Sequence, residues 1–139
     1  MLTPDRPLAA DALRDLGLVA LFDALASLAP PQVPLQVTGA DELSVDGARA
    51  ASVRTEQAPG DWPDWAVIGI DVAVGALGDD PGLYPGETSL AEEGFGDVTA
   101  AEILALTCRH LLVWIDAWQE DGAALLARAV RDRQATVRA

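Results

Sequence analysis

Lysine is absent from this chain of 139 residues, and cysteine, histidine and methionine occur once each. Without a second cysteine no internal disulfide can form, which is compatible with a reducing compartment. Cys108 and His110 lie two positions apart in a segment of helical pattern. Positions i and i+2 point to different helix faces, so the two cannot converge on one metal or act as a catalytic Cys/His pair. One histidine and one cysteine also fall short of an ordinary zinc ligand set. They read as a buried cysteine and a boundary histidine. No serine sits in a nucleophile-elbow setting: Ser52 is mid-strand and Ser89 lies in a loop. No apolar run reaches the roughly 18–20 residues that cross a bilayer. The first residues lack both a basic stretch and an apolar signal core, so a soluble, cytoplasmic protein is expected. Positive charge is scarce as well: nine arginines face 22 acidic residues, for a formal net charge of −13. Such a surface repels phosphate backbones, which argues against nucleic acid and anionic membrane as partners. Abundant Ala, Arg and Asp without lysine fit a GC-biased genome as well as a functional need.

The length suits one domain, residues 1–139, with a substantial core. Its centre is Pro34 to Val74, which reads as three or four strands. Asp46-Gly47 is a hairpin turn, since Asp and Gly tolerate positive φ. Before it, Leu43 and Val45 alternate with Glu42, Ser44 and Asp46. After it, Ala51, Val53 and Thr55 alternate with Ser52, Arg54 and Glu56, the period of half-buried strands. Trp65 to Val74 is almost continuously apolar and predicts a central strand covered on both faces. Ahead of the sheet, Leu13, Leu16, Ala20, Leu21, Ala24, Leu25 and Leu28 recur at helical spacing. Gly17 interrupts them at a cost of about 1 kcal/mol relative to Ala, leaving one helix or two. Gly75 to Gly96 is a long loop rich in Gly, Asp and Pro, and loops of this length are often functional. Thr99 and Glu102 form a capping box. The following helix of about five turns carries Ile103, Leu104, Leu106, Leu111, Val113, Trp114 and Trp118 as its apolar face. Gly122 to Gln134 is a second, shorter helix with Leu125, Leu126 and Val130 inward.

Four motifs in this order resemble those of the biotin/lipoate protein ligases. Asp41 to Gly47 is similar to that family's NDLLVDG, and Ala48 to Ser52 to its RKLAG. Val67 to Ile70 is similar to its VIGI, and Glu87 to Leu90 to its ATSL ahead of an amphipathic helix. Order and spacing agree over roughly residues 7–132. The resemblance implies an α+β fold, with a mixed, mostly antiparallel sheet and helices mainly on one face. It would be the central part of the ligase catalytic domain. The resemblance further implies that ATP, with Mg²⁺, activates biotin or a lipoyl-type acid to an acyl-adenylate. The acyl group then passes to a lysine of a carrier domain.

Such chemistry needs cations opposite the carboxylate and phosphates. The family supplies a GRGRR-like loop and a lysine after the DG turn. Here no such loop occurs, and the chain begins downstream of where one belongs. The lysine position holds Arg49, whose planar fork differs from a point ammonium. The family's WPND becomes Gly39-Ala40-Asp41-Glu42, and the Asn that ends GIGIN becomes Ala73. By resemblance the ligand-binding set is Glu42, Arg49, Ser52 and Trp65, with Arg49 also in the catalytic position. The competing account makes Arg49 a surface arginine beside Asp46 or Glu56, with Arg54 of similar standing. Glu42 and Asp46 are either an Mg²⁺ site or a solvated strand face. Trp62 and Trp65 either wall a ligand pocket or plug the end of the sheet. Two functions follow. One is a ligase-like protein that binds a small carboxylic acid or its adenylate, with catalysis weakened. The other is a non-catalytic module on the same fold that forms a homodimer, or takes a partner, through an open sheet edge. The chain is either a piece of a longer ligase-like protein or a natural minimal relative.

Overall fold

A computed structural model describes residues 6–75 and 86–134. Helix α1, Ala10–Leu28, is continuous through Gly17 and buried nearly all round. From Leu16 to Phe22 every residue but Gly17 is apolar, which suits the helix to a central place. It lies on the sheet, and the two later helices pack along its other sides. Gly17 is what lets it lie close. A Cβ at that position would come within 2.8 Å of both Ile68 Cγ2 and Val53 Cγ1.

The sheet consists of β1, Leu35–Thr38; β2, Glu42–Val45; β3, Ala48–Gln57; and β4, Ala66–Val72. Every pairing is antiparallel, in the order β1-β2-β3-β4. Asp46 and Gly47 both take positive φ, 51° and 84°, which joins β2 to β3 tightly. The alternation in β3 holds, with Ala51 and Val53 buried and Arg54 exposed. In β2 it fails at Ser44, which is buried and hydrogen-bonded to the Thr38 hydroxyl at 3.0 Å. A register shift between Leu43 and Ser44 bends the strand there.

The greasy strand departs furthest from expectation. Rather than a central strand covered on both faces, β4 is the edge of the sheet among the described residues, and no residue in it is fully buried. One face meets α1, and the other lies open. Its apolar run is a surface waiting for cover, which hydropathy alone does not distinguish from burial.

Helix α2, Ala100–Asp121, starts at Thr99, whose hydroxyl accepts from the Glu102 amide at 3.2 Å. The Glu102 carboxylate meets the Thr99 hydroxyl instead of the cap amide. Gly122, at φ 85°, ends the helix, and Arg6 donates to the carbonyls of Gln119 and Glu120 there. Helix α3, Ala123–Gln134, buries Leu126, Ala129 and Val130. The three helices are stapled at Asp23, which accepts from Trp114 Nε1 at 2.9 Å and from Arg133 Nε and Nη2 at 3.0 and 2.9 Å. The Arg133 guanidinium also stacks over Phe22 and Trp114.

Part of the expected apolar face of α2 is uncovered: Leu104 is 56% and Val113 66% exposed. Cys108, expected to be buried, is exposed too. Of the long loop, residues 76–85 lie outside the described residues. No helix of the described residues is long and apolar enough to cross a membrane.

Candidate functional site

Arg49 stands just past the hairpin turn, where β3 leaves β2. Its amide donates to the Gly86 carbonyl at 2.9 Å, and its carbonyl accepts from the Thr88 amide at 2.8 Å. This short parallel bridge brings Glu87 alongside. The guanidinium then sits between two carboxylates, Glu42 at 3.4 Å and Glu87 in direct contact. Thr88 is buried, with its hydroxyl on the Glu93 carboxylate at 2.7 Å, and Ser89 is fully buried. The segment 86–90 is therefore a fixed wall and not a loose loop end.

A shallow recess of about 330 Å³ opens beside this wall, lined by Arg49, Ser52, Asp71, Ala73, Glu87 and Thr88. Glu42 and Ser52 are cross-strand partners, so three of the four expected binding residues meet here. Trp65 does not join them. It lies at the far end of β4, 53% exposed, in a different cleft. Asp46 and Glu56 are not the carboxylates that hold Arg49, and Arg54 pairs with Asp71 at 3.3 Å. No group of three metal-ligating side chains occurs among the described residues. Among the described residues, three carboxylates thus face two guanidiniums around the recess, with no surplus positive charge for an anion.

Sequence reading missed Glu87, because 38 positions separate it from Arg49 and only the fold makes them neighbours. The signal available was the acidic residue standing where the resembled ATSL motif has alanine.

The second concavity is apolar. A cleft of about 530 Å³ runs between β4 and α2, with Leu13 and Leu16 of α1 at its back. Ile68 and Trp65 form one side, and Leu111, Ile115 and Trp118 the other.

Residues 1–132 match the model of the Biotin/lipoate A/B protein ligase family. A biotin protein ligase-like protein of unknown function from a Silicibacter species superposes with TM-score 0.78 at 34% identity, over 95% of this chain and 59% of that one. The apo biotin protein ligase from Aquifex aeolicus gives 0.72 at 14% identity, over 89% of this chain and 53% of that one. A variant of the Aquifex enzyme in complex with biotin gives 0.73 at 14%, over 95% and 54%. The chain thus spans between a half and three-fifths of the structures it resembles, and at 14% identity the likeness is one of fold. No curated protein sequence matches it.

Proposed function

The chain belongs to the biotin/lipoate A/B protein ligase family, and from that premise we propose that it is a non-catalytic member, an interaction module rather than an acyl-adenylate-forming ligase. The observation that supports this reading is the state of Arg49. A ligase needs a cation free to meet a carboxylate and a phosphate, and here Glu42 and Glu87 already occupy it. An incoming anion would have to displace a carboxylate and then face the net negative charge that remains. Solvent screens each unrelieved like-charge contact at this half-exposed site, but every one opposes binding. The molecule instead offers an apolar cleft beside an open strand. A cytoplasmic, single-domain protein completes this reading.

Calorimetry with biotin, lipoate, ATP with Mg²⁺ and their mixtures tests it. No saturable heat is expected. Saturable heat that Arg49→Ala abolishes would overturn the reading.

One observation favours a second reading, in which a small carboxylic acid binds the recess with or without ATP. Arg49 is 46% exposed, and exposed ion pairs contribute only about 0–1 kcal/mol, so its partners are exchangeable. Glu42, Arg49 and Ser52 would then line the site, without Trp65. The same calorimetry decides between the two.

A further inference from the structure

The recess beside Arg49 is closed by a side chain that the backbone delivers to it. Hydrogen bonds hold the segment 86–91 to the sheet on two sides. On one, the Arg49 amide donates to the Gly86 carbonyl at 2.9 Å and the Thr88 amide to the Arg49 carbonyl at 2.8 Å. On the other, the Leu90 amide donates to the Ala73 carbonyl at 2.8 Å and the Ala91 amide to the Val74 carbonyl at 2.9 Å. Residue 87 is thereby fixed opposite residue 49. The Glu87 side chain keeps its own rotamers, and its carboxylate lies on Arg49 Nη2.

Glu42 is placed differently. It stands at the start of β2, before the register shift, and meets the other terminal nitrogen, Nη1, at 3.4 Å. Glu87 lines the recess and Glu42 does not. The two carboxylates thus hold separate nitrogens of one guanidinium, and the recess opens on the side of Glu87.

Charge limits what can stand in the place of Glu87. With that side chain turned aside, Arg49 and Arg54 face Glu42 and Asp71, and these four charges sum to zero. One negative charge restores the present balance, whereas a dianion or a polyphosphate exceeds it. Size agrees with charge. Beyond its Cβ a glutamate carries one methylene and one carboxylate, the heavy atoms of acetate, and a guanidinium receives a carboxylate through parallel N–H donors. Ser52 adds a hydroxyl to the same lining.

We infer that Glu87 is a tethered stand-in for a monocarboxylate: it fills the anion position of the Arg49 recess from within the chain and holds it shut. The inference rests on the non-catalytic reading and names what keeps the site closed. A group on a short flexible tether competes at an effective concentration on the order of millimolar. Here the backbone is pinned as well, so little freedom is left to lose and dilute external acids are outcompeted.

If the two carboxylates were only surface ion pairs, Glu42 and Glu87 would be interchangeable, and the test uses that difference. The 139-residue chain, labelled with ¹⁵N, is titrated with sodium acetate against sodium chloride at equal ionic strength, and the Arg49 amide and Nε–Hε signals are followed. Glu87→Ala and Glu42→Ala each remove one negative charge beside Arg49. Glu87→Ala should bind acetate saturably and at least tenfold more tightly than the unaltered chain or Glu42→Ala. Adding Arg49→Ala to Glu87→Ala should weaken that binding at least tenfold. Inorganic phosphate as the dianion should bind Glu87→Ala more weakly than acetate. Unchanged amide signals in the three helices verify the fold, and Glu87→Ser repeats the comparison if the alanine variant disturbs them. Silence of both position-87 variants, equal binding by Glu42→Ala, survival of binding in the double variant, or tighter binding of phosphate would overturn the inference. Failure of the parent reading looks different: saturable heat from the unaltered chain with biotin, lipoate or ATP.

Discussion

Two of the concavities of this domain, the Arg49 recess and the cleft between β4 and α2, are opposites in chemistry. At the Arg49 end of the sheet, charge is abundant and already neutralised by groups of the same chain. At the β4–α2 corner charge is sparse, and among the described residues no strand pairs with the outer edge of β4. Buried or paired groups are spent, and the surplus marks where a folded chain still gains free energy from a partner. In a family with ligase members, the position that resembles their lysine is the spent one.

The corner exists only because α1 lies tight on β3 and β4, so the largest expected effect comes from lifting it. Gly17→Val should cost about 3 kcal/mol or more in urea denaturation, since the new side chain enters a space 2.8 Å from two branched residues. Gly17→Ala should still destabilise, by about 1 kcal/mol, with overpacking exceeding the helix-propensity gain. A stabilised alanine variant would mean that the helix stands off the sheet.

Next comes the staple that fixes where α2 overhangs. Arg133→Ala should cost about 2 kcal/mol, because it leaves the half-buried Asp23 carboxylate with Trp114 Nε1 but no cation, and removes a guanidinium stacked on two rings. Arg49→Ala should cost under about 0.5 kcal/mol, as expected for half-exposed pairs. The contrast between the two arginines sharpens the comparison: one holds the fold, and the other balances a surface. Equal costs would break it.

The smallest effect concerns Asp15, buried on α1 with Arg14 Nη2 at 3.7 Å. Desolvation raises its pKa above the usual 3.8, against the pull of Arg14. A raised acid favours the folded state in its protonated form. That contribution is complete below pH 3.8 and is lost as pH rises through the folded-state value. Asp15→Asn should therefore be slightly more stable than the parent at pH 7, with the advantage shrinking on acidification. Denaturation midpoints at pH 7, 5 and 4 would show it.

Much of the fold was legible in local signals. The Asp46-Gly47 turn, the alternation in β3 and the Thr99 cap each follow from residues within a few positions of one another. The misreadings have a common cause. Apolar sequence at β4, Leu104 and Val113 reads as core, because periodicity records which residues avoid water and not whether a neighbour covers them. Gly17 looked like an interruption, yet it is the close approach that positions the central helix. The Arg49 site was half legible. Glu42, Arg49 and Ser52 do meet, but Glu87 reaches them only through a contact far apart in sequence, and Trp65 belongs to the other cleft.

Residue-resolved amide hydrogen exchange on the free domain tests the open corner most directly. Along β4 the amides of Val67, Gly69 and Asp71 should exchange slowly, while those of Ile68, Ile70 and Val72 exchange near the rate of unstructured chain. Uniform protection along the strand would mean that its outer side is already paired and the corner closed.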